Sequence, residues 1–350
     1  MSQRTGKVRA ARLTDLAALG ELSRLSHGSD GRDAAVRSLG LPVSASQISV
    51  FSLFRMPLGA FQPHDALYVY EDDGRVAGLL RVERESVRDE WTIVELDAVG
   101  AGDAGDIRYR LVQHLLRDGA KRGAARFHVA CADEGGNVEL FMQAGFARYG
   151  EERILFRSPD RALPQPVDQA SSSAARIRTS VPLDALALSR LYADAAPFPV
   201  RRLEAYRLPD WERQGSQWRV PRSSLTPILR FADVEGYVQE AADGETLAGF
   251  LQVGVAKEEQ PHYLKVIAQP GHDAGELLRF GLGVIADRAR REARLGRRHE
   301  HGVISPVRTY EAPIDRRLEE QGFRTIATVS LLLKETLVRV AEPALVPAIH

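Results

Sequence analysis

The chain carries the same strand, glycine-bearing turn and helix twice, and this repeat limits what it can fold into. The first copy occupies residues 94–122 and the second residues 263–294. Both turns contain the tripeptide Asp-Ala-Gly, at Asp103-Ala104-Gly105 and at Asp273-Ala274-Gly275, which lie 170 residues apart. In each copy a strand leads to a helix N-terminus, where free backbone N–H groups and the helix dipole favour an anion. The sequence therefore predicts two related anion-binding units.

Other residues repeat at nearly the same distance. Arg9 and Asp15 match Arg178 and Asp184, each pair 169 residues apart. The glycine of Val-Ala-Gly-Leu-Leu at position 78 matches the glycine of Leu-Ala-Gly-Phe-Leu at position 249. A period this long is typical of a duplicated domain and not of a solenoid.

Two domains are also what the length predicts, because 350 residues exceed what one core usually holds. A stretch rich in Pro, Gln and Ser, without periodicity, separates the copies and is typical of a linker. The predicted organisation is a first domain at 1–160, a linker at 161–174, a second domain at 175–338 and a tail at 339–350.

Composition excludes several function classes. The 47 basic and 47 acidic residues give zero formal net charge, so nothing indicates a nucleic-acid or anionic-membrane partner. No apolar run approaches the ~18 residues of a membrane span. The single cysteine, Cys131, favours a reducing compartment. We expect a soluble cytoplasmic protein in which Cys131 is a buried strand residue, and a homodimer is left open.

Each half resembles the GCN5-related N-acetyltransferase (GNAT) family in the order of its elements. The likeness implies an α/β (α+β) fold of two tandem GNAT-like domains, each a mixed, mostly antiparallel central sheet flanked by helices. Its motifs are Arg9–Leu16, Val76-Ala77-Gly78-Leu79, the turn at 100–106 and Asn137–Phe146, then Ile177–Leu186, Leu247-Ala248-Gly249, the turn at 271–275 and Leu318–Phe323.

The resemblance implies acetyl-CoA as co-substrate, its pyrophosphate held by a loop of the form Gln/Arg-x-x-Gly-x-Gly/Ala. Residues 103–108 fall on this pattern but carry Asp103, Asp106 and Arg108 at its three defining positions. Arg108 would supply positive charge or would fill the space of the pyrophosphate. Residues 276–281 retain only Gly281. Both loops are therefore degenerate.

The resemblance also implies roles for residues of the first half. Glu95 and Asp97, on the central strand, are predicted to act as catalytic base, with partly solvated strand residues as the alternative. Asn137 would contact the pantetheine arm or cap its helix. The predicted cofactor-binding residues are Leu96, Ala98, Gly105, Ile107, Arg108 and Asn137.

The tyrosine that often serves as general acid in the family is missing. Phe141 and Leu318 stand at its positions, and neither side chain donates a proton. A separate feature is the arginine- and tryptophan-rich segment 197–227. It is predicted either to bind an anionic or nucleotide-bearing substrate or to cover the core of the second domain.

Two functions follow. In the first, the N-terminal half transfers an acetyl group from acetyl-CoA to a primary amine of a small molecule or peptide. In the second, the chain is a non-catalytic scaffold or ligand-binding protein that keeps the fold and has lost the cofactor. An aminoacyl-tRNA donor, used by tandem relatives, gains no support from the neutral charge.

Overall fold

The computed structural model describes residues 6–26, 39, 65–85, 88–99, 104–161, 176–213, 220–256, 260–294 and 301–336. Residues 100–103 of the first turn, 162–174 of the predicted linker and the predicted tail lie outside these ranges. No helix in the described part of the chain combines the length and apolar character needed to cross a bilayer.

Twelve strands follow the chain in an order that repeats once. Those of the first half are β1 Lys7–Ala10, β2 Asp65–Asp72, β3 Arg75–Glu85, β4 Glu90–Ala98, β5 Arg126–Ala132 and β6 Ala147–Arg157. Those of the second half are β7 Ile177–Thr179, β8 Phe231–Glu240, β9 Leu247–Ala256, β10 His262–Ala268, β11 Val303–Arg308 and β12 Arg324–Glu335.

Eight α-helices lie between the strands in the described ranges. They are α1 Leu16–Ser26, α2 Ala104–Lys121, α3 Asn137–Gln143, α4 Ala185–Ala195, α5 Phe198–Glu204, α6 Leu208–Glu212, α7 Gly275–Arg294 and α8 Ala312–Glu320. The long helices α2 and α7 follow the two predicted turns. Gly123, with φ of 88°, lies just beyond α2, which is the left-handed position where glycine ends a helix.

All strands join one sheet, in the order β1-β2-β3-β4-β5-β12-β6-β11-β10-β9-β8-β7. Neighbouring strands run antiparallel except β4–β5 and β10–β11, which are parallel. The predicted mixed, mostly antiparallel sheet flanked by helices is confirmed.

The halves exchange their last strands at the centre of this sheet. β12, from the end of the second half, pairs with β5 of the first half over seven residues. β6, from the end of the first half, pairs with β11 of the second half, and β6 and β12 also pair with each other. Neither half therefore has a complete sheet of its own, although the predicted boundaries separate the copies in sequence.

The repeated Arg–Asp pairs form the same salt bridge in both halves. Nη1 and Nη2 of Arg9 donate to Asp15 at 2.6 and 2.8 Å, and those of Arg178 donate to Asp184 at 2.9 and 2.8 Å. Each aspartate also accepts a backbone N–H, from Arg12 at 2.7 Å or from Val181 at 2.8 Å. The pair thus fixes the entry to the first helix in each copy.

The repeated glycines allow a long helix to pack closely on the sheet. A Cβ at Gly78 would lie 2.6 Å from Cγ2 of Ile107 on α2. A Cβ at Gly249 would lie 2.9 Å from Cδ2 of Leu277 on α7. Because real Cβ atoms do not approach that closely, only glycine leaves room for the helix, which explains why both motifs keep it.

Strand exchange predicts that the halves cannot fold apart. Expressed alone, residues 1–161 and 176–350 would each leave strand edges unpaired at the sheet centre, and such edges promote aggregation. We expect both fragments to be insoluble alone and to copurify as a 1:1 complex when coexpressed. A cooperative melt for either fragment by itself would contradict the prediction.

Candidate active site

The parallel strands of each half diverge because their pairing stops partway along. β4 pairs with β5 from Glu90 opposite Arg126 to Ile93 opposite Val129, and the described strands continue beyond these residues without pairing. β10 pairs with β11 at only two positions before it too diverges. Each half thus opens a V-shaped gap between its parallel strands.

A β-bulge at Val94 marks the vertex of the first gap. Arg81 of β3 lies opposite Glu95, whereas Val82 lies opposite Ile93, so Val94 is the extra residue. Bulges re-aim the side chains beside them and are frequent next to active sites. The equivalent strand β10 pairs with β9 in unbroken register. The two copies therefore differ at this point.

The bulge corrects the predicted alternation of β4. The sequence pattern grouped Ile93 with Glu95 and Asp97, but Ile93 packs in the same core as Leu96 and Ala98, beneath α2. One extra residue reverses the face taken by the side chains after it. Glu95 and Asp97 therefore face the opposite side of the sheet from α2.

The two predicted catalytic carboxylates are buried. Glu95 is 3% exposed and Asp97 is 0% exposed, so the alternative of partly solvated strand residues is wrong. Nε of Arg81 lies 3.2 Å from Oε2 of Glu95. Asp97 lies in the field of Arg108, whose charged form it favours. Each carboxylate thus faces an arginine, and their catalytic role stays a prediction.

Arg108 extends from the first turn of α2 into the gap. It is buried and donates a hydrogen bond from Nη2 to Oδ1 of Asn137 on α3. It also interacts electrostatically with Asp97 on β4 and with Cys131 on β5. The guanidinium therefore lies among residues of both diverging strands, in the space predicted for the donor's arm. Burial, the largest influence, lowers the pKa of Arg108.

Asn137 is not the cap of its helix. Gly136, with φ of 73°, occupies the cap position and no side chain caps the helix. Asn137 instead donates from Nδ2 to the carbonyl of Ala132 at 3.3 Å and accepts from Arg108. The backbone N–H of Ala132 in turn donates to the carbonyl of Leu39 at 2.7 Å. The open end of β5 is thus filled by the chain's own groups.

The other predicted cofactor-binding residues separate into two environments. Gly105 is exposed in the first turn of α2, and a Cβ there would meet nothing within 4 Å. Leu96, Ala98 and Ile107 are buried in the core under α2. Gly105 is therefore the predicted residue placed to contact a phosphate at the helix N-terminus.

The second half blocks its own anion position. Oδ1 of Asp273 accepts the backbone N–H of Gly275 at 2.9 Å, at the start of α7, and lies 2.9 Å from Nε of Arg317. In the gap between β10 and β11, Nζ of Lys265 lies 2.7 Å from Oε2 of Glu311. Lys265 and Glu311 are both buried. A carboxylate and an ion pair thus occupy the places of phosphate and thioester.

Cys131 has no features of a nucleophile. It is fully buried, as predicted, and burial raises the pKa of its thiol to about 12 despite the opposing field of Arg108. The thiolate, which is the reactive form, is therefore negligible at neutral pH.

The arginine- and tryptophan-rich segment does more than cover the second domain. Trp211 packs against Tyr192 and Tyr206 in the core of that domain, as one predicted alternative has it. Arg222, however, reaches the first half, where Nη2 contacts Oε2 of Glu90 and Nη1 donates to Thr92 at 3.1 Å. The segment thus ties the halves together.

A second buried cluster continues this connection. Nε of Arg308 on β11 lies 3.0 Å from Oε2 of Glu152 on β6, and Nη2 lies 2.9 Å from Oε1 of Glu204 on α5. Glu152 also accepts the backbone N–H of Ser224 at 2.8 Å. Burying these charges is tolerable because each meets an opposite charge and further hydrogen bonds.

Sequence analysis missed His128 on β5, which contacts Glu90 of this network. Nε2 of His128 lies 3.2 Å from Oε2 of Glu90. The two residues are 38 positions apart and belong to different strands, so no local spacing could have joined them. Only the parallel pairing of β4 with β5, which sets Thr92 opposite His128, brings them together.

A small cleft lies at the vertex of the gap, on the face opposite α2. His128, Val94 and Ala130 line it from the first half, and Ser223 and Pro227 line it from the second. Its cavity volume of about 20 Å³ is the size that one water molecule occupies. The cleft is therefore built jointly by both halves around the bulge.

Two solved structures resemble nearly the whole chain. One is a tandem GNAT protein from the clavulanic acid biosynthesis pathway, with a TM-score of 0.57 and 15% identity over 94% of this chain and 98% of that chain. The other is a GCN5-related N-acetyltransferase from Sphaerobacter thermophilus, with a TM-score of 0.56 and 15% identity over 94% and 95%.

No protein-family model matches the sequence, and no curated protein matches it. At 15% identity the structural likeness establishes the fold. The chain has the tandem GNAT fold, which confirms the predicted fold class and the structural resemblance.

The Glu90–His128 pair predicts a pH dependence of stability. Burial and then Arg222 lower the pKa of His128 from 6.5 to about 4, although Glu90 and Glu204 oppose them. Burial raises the pKa of Glu90, but His128, Arg222 and Arg88 outweigh it and lower that pKa from 4.5 to about 2. Both folded-state pKa values lie below the unfolded ones. Each residue therefore contributes stability at high pH that is lost as the pH falls.

Between pH 6.5 and 5, the loss comes from His128, because the unfolded state binds a proton that the folded state excludes. We expect His128→Gln to flatten the fall in unfolding free energy in this window, by up to roughly 1.4 kcal/mol per pH unit. Urea unfolding at pH 5, 6 and 7 measures it. Equal slopes for both proteins would contradict the assignment.

Proposed function

We propose that the first half is the acyl-transfer site of this chain and that acetyl-CoA is the donor. The observation that carries this is the bulge at Val94, set where β4 and β5 diverge. A bulge turns backbone N–H groups away from the ladder, so that they can hydrogen-bond the oxyanion of a thioester under attack. The acceptor would be a primary amine of a small molecule or peptide.

The contrast between the halves supports the choice of the first. β10 has no bulge within its described pairing, and Asp273 and the Lys265–Glu311 pair occupy the corresponding positions around it. In the first half Gly105 leaves the start of α2 open to a phosphate. The second half would serve as a structural partner that donates β12 and the segment around Arg222. The single cysteine fits a cytoplasmic protein.

For acetyl-CoA to enter, Arg108 would have to leave the gap. Its side chain starts at the first turn of α2, so a rotation would carry the guanidinium toward the helix N-terminus, where the pyrophosphate would lie. In this proposal Arg108 exchanges Asn137 for a phosphate. Asn137, then freed, would hydrogen-bond the pantetheine arm.

A scaffold without acyl transfer is the second candidate, and the filled gaps favour it. Arg108, Asn137 and the Leu39 carbonyl occupy the first gap. Lys265 and Glu311 occupy the second. In this function the fold persists as a rigid body held by strand exchange, and neither half binds a thioester.

Calorimetric titration with acetyl-CoA separates the candidates and the halves. We expect the wild-type chain to bind, Gly105→Trp to abolish binding and Gly275→Trp, its counterpart in the second half, to leave it unchanged. The indole at 105 would cover the helix N-terminus without a clash, because a Cβ there meets nothing within 4 Å. Loss of binding only with Gly275→Trp would assign the site to the second half. No binding by wild type up to millimolar acetyl-CoA would support the scaffold.

Arg108→Gly tests whether this side chain limits entry. Removing it restores the glycine of the family pattern and empties the gap, so we expect acetyl-CoA to bind about tenfold more tightly, equivalent to ~1.4 kcal/mol. Arg110→Gly is the matched control, because Arg110 is exposed on the same helix and pairs with Asp106 at 2.7 Å. Weaker binding by Arg108→Gly alone would show instead that the guanidinium contacts the donor.

A further inference from the structure

The acceptor amine must lose a proton for acyl transfer to finish, and the predicted bases are poorly placed for it. Glu95 is held by Arg81 at 3.2 Å, and Asp97 is fully buried beside Arg108. An arginine partner stabilises the ionised carboxylate and so weakens it as a base. Phe141 and Leu318 leave both halves without the usual general acid. A group that could both accept and return a proton is therefore needed at the vertex.

His128 is such a group. It is 4% exposed and lines the cleft at the vertex, on the face opposite α2. Glu90, a neighbouring carboxylate, accepts only, so the 3.2 Å contact with Nε2 favours the tautomer that carries its proton there. Nδ1 then presents a lone pair, and it has no hydrogen-bond partner among the described residues.

The cleft gives this lone pair access to a substrate. Val94, the bulge residue, and Ala130, the first β5 residue beyond its pairing with β4, line the same cleft as His128. Thr92 and Tyr149, also in the lining, are partly exposed, so the cleft communicates with solvent. An amine that reaches the bulge from this side passes the imidazole.

We propose that His128, oriented by Glu90, takes the proton from the acceptor amine at the vertex of the gap and returns it to the departing thiolate. This assignment rests on the proposed function. Glu90 is a positioning residue, because it acts through the imidazole.

The step balances with one imidazole. The amine nitrogen forms a bond to the thioester carbonyl carbon and gives its proton to Nδ1 of His128. The C–S bond then breaks, its electron pair leaves on sulfur, and the imidazolium returns the proton to the thiolate, directly or through the water that the cleft accommodates. The products are an amide and free CoA, and His128 is neutral again. The missing tyrosine is then unnecessary.

The tautomer can be read without any donor or acceptor. In the full chain labelled with 15N-histidine, long-range 1H–15N spectra at pH 7 should show His128 neutral, protonated at Nε2 and bare at Nδ1, with the resonance assigned by its loss in His128→Gln. In Glu90→Gln the preference for Nε2 should weaken. A proton on Nδ1, or on both nitrogens, overturns the proposal.

Kinetics test the role itself. With acetyl-CoA and a panel of primary amines, His128→Gln should lower kcat at least about 100-fold and leave the Kd for acetyl-CoA unchanged. His114→Gln is the matched control, because His114 lies on α2 against Tyr68, at a ring distance of 5.4 Å, away from the cleft. Equal kcat for His128→Gln and wild type would overturn the proposal and leave acyl transfer standing.

Failure of the proposed function looks different. A wild-type chain that neither binds acetyl-CoA nor acetylates any amine contradicts acyl transfer in all variants alike. The spectrum still decides the placement of His128 in that case, since a bare Nδ1 supports the assigned geometry and a protonated one overturns it. Thermal melts of both glutamine variants show whether a kinetic loss reflects unfolding.

Discussion

Backbone pairing between β5, β12, β6 and β11 is the constraint on which the rest of the structure depends. These four strands come alternately from the two halves, so every hydrogen bond across the sheet centre is a contact between copies. The arrangement brings segment 220–231 of the second half over the first half's sheet, where Leu225 and Leu229 pack with Ala130 and Leu331. The cleft at Val94 exists because of this placement.

Charge pairing then fixes the two halves in detail. Arg222 and Arg308 each link carboxylates from different elements, and Glu90 and Glu152 belong to the first half. Removing one partner of such a buried pair typically costs about 3–5 kcal/mol, because the other charge is stranded. Glu90 serves the network through Arg222 and orients His128 as well. Structural and proposed catalytic roles therefore meet in one carboxylate.

Local patterns predicted most elements of the fold, since hairpins, helix ends and close packing depend on neighbouring residues. The Asp73-Gly74 turn between β2 and β3 has φ of 47° and 75°, as a two-residue hairpin requires. The copies were visible because Arg9–Asp15 and Gly78 recur. The exchange of β6 and β12 was not predicted, because each strand has the same pattern whichever copy it pairs with.

The candidate site was predictable only in part, for a related reason. Glu95, Asp97 and Arg108 were identified from their order along the chain, and they do lie near the gap. The bulge at Val94 reversed the faces of β4, because a single extra residue leaves no mark in an alternating sequence. His128 depends on register between two strands, and Arg222 on contact between halves, and neither is encoded in local spacing.

Exchange of the last strands also orders events during synthesis. β5 and β6 are made early, but the strand that lies between them, β12, begins at Arg324. A ribosome-bound chain that has not reached this residue holds two open edges in the middle of its first sheet, and long-range pairing of this kind forms slowly. The first copy therefore acquires its native shape only after the second has been translated, which makes the duplication a single cooperative unit.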